Sequence, residues 1–109
     1  MISIEKRDDM VKHVVMWKIE GKDGKTKEQA LVDIKKQLEG LNGQIEGMQT
    51  LEVGINYNES ATAYDAVLTS IHESKEALQG YQKHEKHQHV ANTYVRPFTV
   101  ARVGVDFEY

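Results

Sequence analysis

The chain has 109 residues, a formal charge of −3 and no cysteine. That length suits one compact domain. The acidic balance disfavours nucleic acid, whose phosphates need a basic face, and the missing thiols exclude a disulfide framework and thiolate chemistry. No apolar run approaches the roughly 20 residues of a membrane span, so no membrane partner is expected and the cytoplasm is the expected location. Residues 1–9 carry charges where a signal peptide has its apolar centre. They are expected to form a flexible extension ahead of a domain spanning 10–109, with Met10 an alternative start.

Met10 to Ile19 is rich in β-branched and aromatic residues and is expected to be a strand. Alternation puts His13, Val15 and Trp17 on one face and Val14 and Met16 on the other, so both faces are largely apolar. A polar turn, Gly21 to Lys25, leads into Thr26-Lys27-Glu28-Gln29, the form of a capping box. Leu31, Ile34, Leu38 and Leu41 then recur at helical spacing, and Gly40, Asn42 and Gly43 supply stop signals. A second strand is expected over Met48 to Tyr57, and Gly54 inside it marks a bulge or a close approach by another backbone. After a polar loop comes a third strand, Ala63 to His72. Ser74 is a suitable N-cap for a short helix carrying Ala77, Leu78 and Tyr81, which Gly80 should weaken. A further helical pattern runs from Glu85 to Val95 and puts His87 on its apolar face with Val90, Ala91 and Tyr94. Arg96-Pro97 ends it, because the residue before a proline is pushed out of the α region. Phe98 to Phe107 is the last strand.

The order strand, helix, strand, strand, helix, strand, with one hairpin and two crossovers, specifies an α+β domain of ferredoxin-like βαββαβ topology. Its antiparallel sheet should carry both helices on one face. The other face, with Val14, Met16 and half of the third strand, would be exposed in a monomer. A homodimer with sheets packed face to face, a dimeric α/β barrel, covers it.

Val11 to Lys18, Leu51-Glu52-Val53-Gly54, Tyr81 to His87, Val95-Arg96-Pro97-Phe98 and Val105-Asp106-Phe107, in that order and spacing, resemble the stress-responsive dimeric α/β-barrel (Dabb) family. Glu46 departs from the proline that the family usually has before the glycine. The resemblance spans residues 10–109 and implies the same protomer and dimer. It also implies a range of functions, since the family includes olivetolic acid cyclase-like polyketide cyclases that close a chain by an aldol reaction. On that resemblance His13, Tyr81 and His87 match the residues of a cyclase site, with His87 at the acid/base position.

The residues themselves support such chemistry. An imidazole with an ordinary pKa of about 6.5 suits proton transfer near neutral pH, and a phenol can donate to an oxyanion. The bland reading makes His87 a packed core histidine and Tyr81 a half-buried aromatic. Three histidines, His84, His87 and His89, crowd one stretch and His72 precedes it; His84 and His87 can face one another at i, i+3, yet the helical angle to His89 opposes one metal site shared by all three, and cysteine ligands are absent. No phosphate-cradling glycine loop or dinucleotide fingerprint occurs, so no cofactor is expected. The expected site is a small apolar pocket between sheet and helices. His13, Tyr81 and His87 form its polar corner and Val15, Trp17, Leu31, Ile34 and Leu78 its walls, holding a small organic ligand. A cofactor-free enzyme using His87 and Tyr81 on a carbonyl compound is the alternative to simple binding.

Overall fold

The computed structural model describes residues 9–109; the expected extension over 1–9 falls, apart from Asp9, outside the described residues. Four strands, β1 (Val11–Ile19), β2 (Met48–Ile55), β3 (Ala66–His72) and β4 (Thr99–Glu108), form one sheet in the order β2-β3-β1-β4. Every neighbouring pair is antiparallel. Helix α1 (Lys27–Glu39) joins β1 to β2, and α2 (Lys75–Lys83) with α3 (Glu85–Val90) joins β3 to β4. This is the ferredoxin-like topology that the sequence predicts.

Local chemistry explains where the helices start. The Thr26 hydroxyl accepts from the Gln29 amide at 3.1 Å and the Gln29 side chain accepts from the Thr26 amide at 2.8 Å, completing the capping box. Ser74 caps α2 by accepting from the Ala77 amide at 3.0 Å. The later elements differ from expectation. Helix α2 runs through Gly80 and stops at His84, whose extended backbone (ψ 134°) breaks the helix and whose Nδ1 accepts from the Lys86 amide to start α3. The pattern expected to be helical to Val95 changes at Ala91 into a π-helical turn, Ala91–Val95, followed by a 3-10 turn over Arg96–Phe98. Strands β2 and β3 are each shorter at the hairpin end than predicted. Gly54 keeps regular pairing with Val67, and the register shift of β2 falls instead between Met48 and Thr50.

The inner face of the sheet carries Val11, His13, Val15, Trp17 and Ile19 from β1, Leu51 and Val53 from β2 and Leu68, Ser70 and His72 from β3, all buried. Ala30, Leu31, Ile34 and Leu38 of α1 close over them. Removing a side chain of this size from water contributes about 1.5–3 kcal/mol. On the outer face Val14 pairs with Val105, Met16 with Val103 and Lys12 with Phe107. Met16, Val103, Val105 and Phe107 are between 41% and 63% exposed, an apolar strip along β1 and β4.

The edge strand β2 is stapled by side chains from α1 and the loop after it. Asn42 donates to the Leu51 carbonyl and accepts from the Leu51 amide, both at 2.8 Å. Glu39 accepts from the Val53 amide at 2.9 Å and Lys35 donates to the Val53 carbonyl at 2.6 Å. Backbone groups that would otherwise offer a pairing edge are thus occupied. Asn42→Ala removes both Leu51 bonds and should lower unfolding free energy by about 1–2 kcal/mol, read as a lower urea midpoint at unchanged slope.

Candidate functional site

His13 projects from the inner face of β1, the strand flanked by β3 and β4. The bend at His84 lets α2 and α3 each present a ring toward it. Tyr81 of α2 is 1% exposed, and its ring centroid lies 6.2 Å from His13, 5.0 Å from His72 and 4.3 Å from His87. The structure therefore brings His13, Tyr81 and His87 together. A cavity of about 250 Å³ opens beside them, lined also by Val15, Trp17, Leu38, Leu68, Gln82, Gln88, Ala91, Val95, Arg96, Thr99 and Arg102.

Of the expected walls, Val15 and Trp17 line this cavity. Leu31, Ile34 and Leu78 do not; they are buried in the hydrophobic core. A helical stripe of leucines shows which side faces inward, but not which part of the interior is left unfilled. Leu38, one turn beyond Ile34, and Ala91 and Val95 of the π-helical turn take their place. A π turn is a recurrent feature at functional sites because it displaces the helix surface by one residue.

The hydrogen bonds fix the chemistry of the rings. His87 Nδ1 lies 3.1 Å from the Gln82 carbonyl oxygen. A carbonyl only accepts, so Nδ1 carries the proton, and a neutral imidazole then leaves Nε2 as an unprotonated base. Burial favours that neutral form and holds the His87 pKa below its ordinary value; the Gln82 bond opposes this, and the charges of Arg96, His13 and Arg102 add to it. Burial also pushes the Tyr81 phenol well above its usual range, so the hydroxyl stays protonated and acts as a donor. His13 Nδ1 sits 2.5 Å from an Asp106 carboxylate oxygen, which by the same reasoning places the proton on Nδ1.

His72 is a fourth member of this cluster that the pattern of the sequence did not assign to it. It is fully buried, its Nε2 shares a 2.8 Å hydrogen bond with the Ser70 hydroxyl, and its Nδ1 has no partner. Burial, then the charge of His13, lowers its pKa to about 4. Asp106 and Arg102 also went unassigned; their alternation with Val103, Val105 and Phe107 along β4 is the signal that places them inward. His84 caps α3 and His89 is exposed, so neither joins the cavity. Among the described residues no group of three His, Asp or Glu side chains is arranged to hold a metal ion. No helix among them is long and apolar enough to cross a membrane.

A ferredoxin-like sheet with a cavity lined by His13, Tyr81 and His87 under its helices defines the class of the protein. The model of the stress responsive A/B barrel domain (Dabb) matches residues 11–109, and the chain belongs to that family. An uncharacterized protein of Streptomyces coelicolor is 29% identical over 79 residues, covering 72% of this chain and 80% of that protein. A solved structure from Bacteroides fragilis, described as a dimeric protein of unknown function with a ferredoxin-like fold, is 25% identical at a TM-score of 0.79, covering 92% of this chain and 96% of that one. The hydroxynitrile lyase of Passiflora edulis is 12% identical at a TM-score of 0.75, covering 94% of each chain, a likeness of fold alone.

Burial of His72 makes the domain sensitive to acid. Above its unfolded pKa of about 6.5 both states are neutral and its contribution is complete. As pH falls from there through the folded value near 4, the unfolded chain takes up a proton that the native state refuses, and stability declines. The limiting slope is about 1.4 kcal/mol per pH unit. Urea midpoints of His72→Gln measured across this window should fall less steeply than those of the parent chain.

Proposed function

We propose that the protein is a homodimer that holds a small, largely apolar organic molecule in the cavity beside His13, Tyr81 and His87. A volume of about 250 Å³ lies just below the roughly 300–1,000 Å³ of sites that take drug-sized ligands, which argues for a small one. The dimer is supported by the apolar strip Met16, Val103, Val105 and Phe107 and by the dimeric description of the Bacteroides fragilis relative. Two such strips facing each other would complete the barrel. We place the protein in the cytoplasm, where a chain without cysteine has no need of disulfides.

One observation favours chemistry on a carbonyl compound over binding alone: the Gln82 carbonyl fixes the His87 tautomer with Nε2 bare. In this reading Nε2 removes a proton from the carbon next to a bound carbonyl. The electron pair of the C–H bond moves into the carbonyl, and the Tyr81 hydroxyl donates a hydrogen bond to the enolate oxygen. The proton then returns at another carbon, or the enolate carbon attacks a second carbonyl whose oxygen takes the proton back from His87, so isomerisation and aldol closure share their first step. Asp106 holds the His13 ring in one orientation at the other end of the cluster. No step calls for a cofactor.

Exchange of α-hydrogens for deuterium in a panel of small ketones and oxo acids, followed by NMR, tests this directly. His87→Gln should slow catalysed exchange by about 100-fold or more, while ligand-induced thermal stabilisation persists. Exchange unchanged in that variant would remove His87 from the chemistry. Stabilisation without exchange in the parent chain would leave a binding protein. Separately, sedimentation at micromolar concentration should give a dimer, and Val105→Asp a monomer; a monomeric parent would contradict the barrel.

A further inference from the structure

Within a chain of net charge −3, the wall of this cavity is positive. None of its lining residues is Asp or Glu, whereas Arg96 and Arg102 both line it. Neither guanidinium forms an ion pair among the described residues. The acids that share the inward face of β4 are committed elsewhere, Asp106 to His13 and Glu108 to Lys75. Arg96 is held by neutral acceptors, the side-chain oxygens of Gln88 at 3.2 Å and Asn92 at 2.5 Å. Arg102 has no such side-chain hydrogen bond among the described residues. It stands opposite Trp17 in the ladder, and the next inward residue of its strand is Gly104, where a Cβ would come within 3.7 Å of one guanidinium nitrogen. That is ordinary contact distance, so the guanidinium lies over the Gly104 backbone on the inner face of the sheet. Its charge also reaches the working pair: it opposes the upward push on the Tyr81 phenol and adds to the lowering at His87.

Two cations with no ion pair among the described residues, lining a cleft without Asp or Glu, attract an anion, and field lines concentrate in such a cleft. The guanidinium fork matches a carboxylate with two parallel hydrogen bonds. Resting on the reading of this cavity as a ligand site, we propose that its occupant is a small oxo acid: Arg102 holds the carboxylate with Arg96 beside it, the ketone faces Tyr81 and His87, and an apolar tail lies against Trp17 and Leu38. Arg102 is then a specificity-determining residue, and the same charge favours the enolate over the ketone.

Phenylpyruvate and its neutral amide, titrated by calorimetry against the full chain, separate this inference from the reading it rests on. The acid should bind about tenfold or more tightly than the amide, the increment of one charge-assisted contact. Arg102→Gln should bring the two affinities together by weakening the acid and leaving the amide unchanged. Arg102→Lys, which keeps the charge and loses the fork, should recover part of the preference. Equal binding of acid and amide by the parent chain, or a preference undiminished in Arg102→Gln, overturns the oxo-acid inference while leaving the cavity a ligand site. Binding of neither probe overturns both.

Discussion

The interior of this domain depends on one ring. Tyr81 fills the gap between the sheet and the broken helix α2–α3, with imidazoles of His13, His72 and His87 around it. Aromatic contacts of this kind bring large burial together with preferred edge and tilted geometries. Their consequence here is electrostatic as much as steric. A phenol with almost no exposure cannot ionise, and the histidines packed on it at positions 72 and 87 are driven toward neutrality by the same lack of water. The imidazoles of His72 and His87, which would take up protons below about pH 6.5 in solution, are held instead as directional donors and acceptors. The bend at His84 is what makes this possible, since a straight helix could not aim both Tyr81 and His87 at β1.

Strand β4 does two jobs at once. Its outward residues Val103, Val105 and Phe107 continue the apolar strip of β1, while Arg102 and Asp106 point inward to the cavity wall and to His13. Because the side-chain period of a strand is two, a slip by one residue would exchange the sets, turning charges onto the outer face and valines toward the cavity. The outer apolar strip and the cavity wall are therefore fixed by a single register, so the proposed dimer and the proposed ligand site rest on the same strand pairing.

Much of this was legible from residues alone. The capping box at Thr26, the cap at Ser74 and the alternation of β1 are local signals whose physics does not need the rest of the chain, and each appears as expected. The convergence of His13, Tyr81 and His87 was legible through the topology and the family resemblance together. The rest depended on tertiary contacts. Helix α2 continues through Gly80 to Lys83, because a glycine mid-helix costs only about 1 kcal/mol and packing of Leu78 and Tyr81 offsets it. The π turn after Val90 has no sequence signature, yet it brings Ala91 and Val95 to the cavity. Leu31, Ile34 and Leu78 show the same limit, for apolar periodicity marks the buried face without marking the space left open within it. The pairing of Asp106 with His13, separated by 93 positions, exists only once β4 lies beside β1.

Burial holds His87 neutral and the Gln82 carbonyl keeps its proton on Nδ1, with Nε2 bare. Nitrogen-15 NMR of the imidazoles across a pH series measures this directly, because protonated and bare ring nitrogens resonate far apart. The His87 ring should give the spectrum of the Nδ1–H tautomer and keep it below pH 6.5, the ordinary histidine pKa. A His87 ring that is protonated on both nitrogens at that pH, or that carries its proton on Nε2, would contradict it.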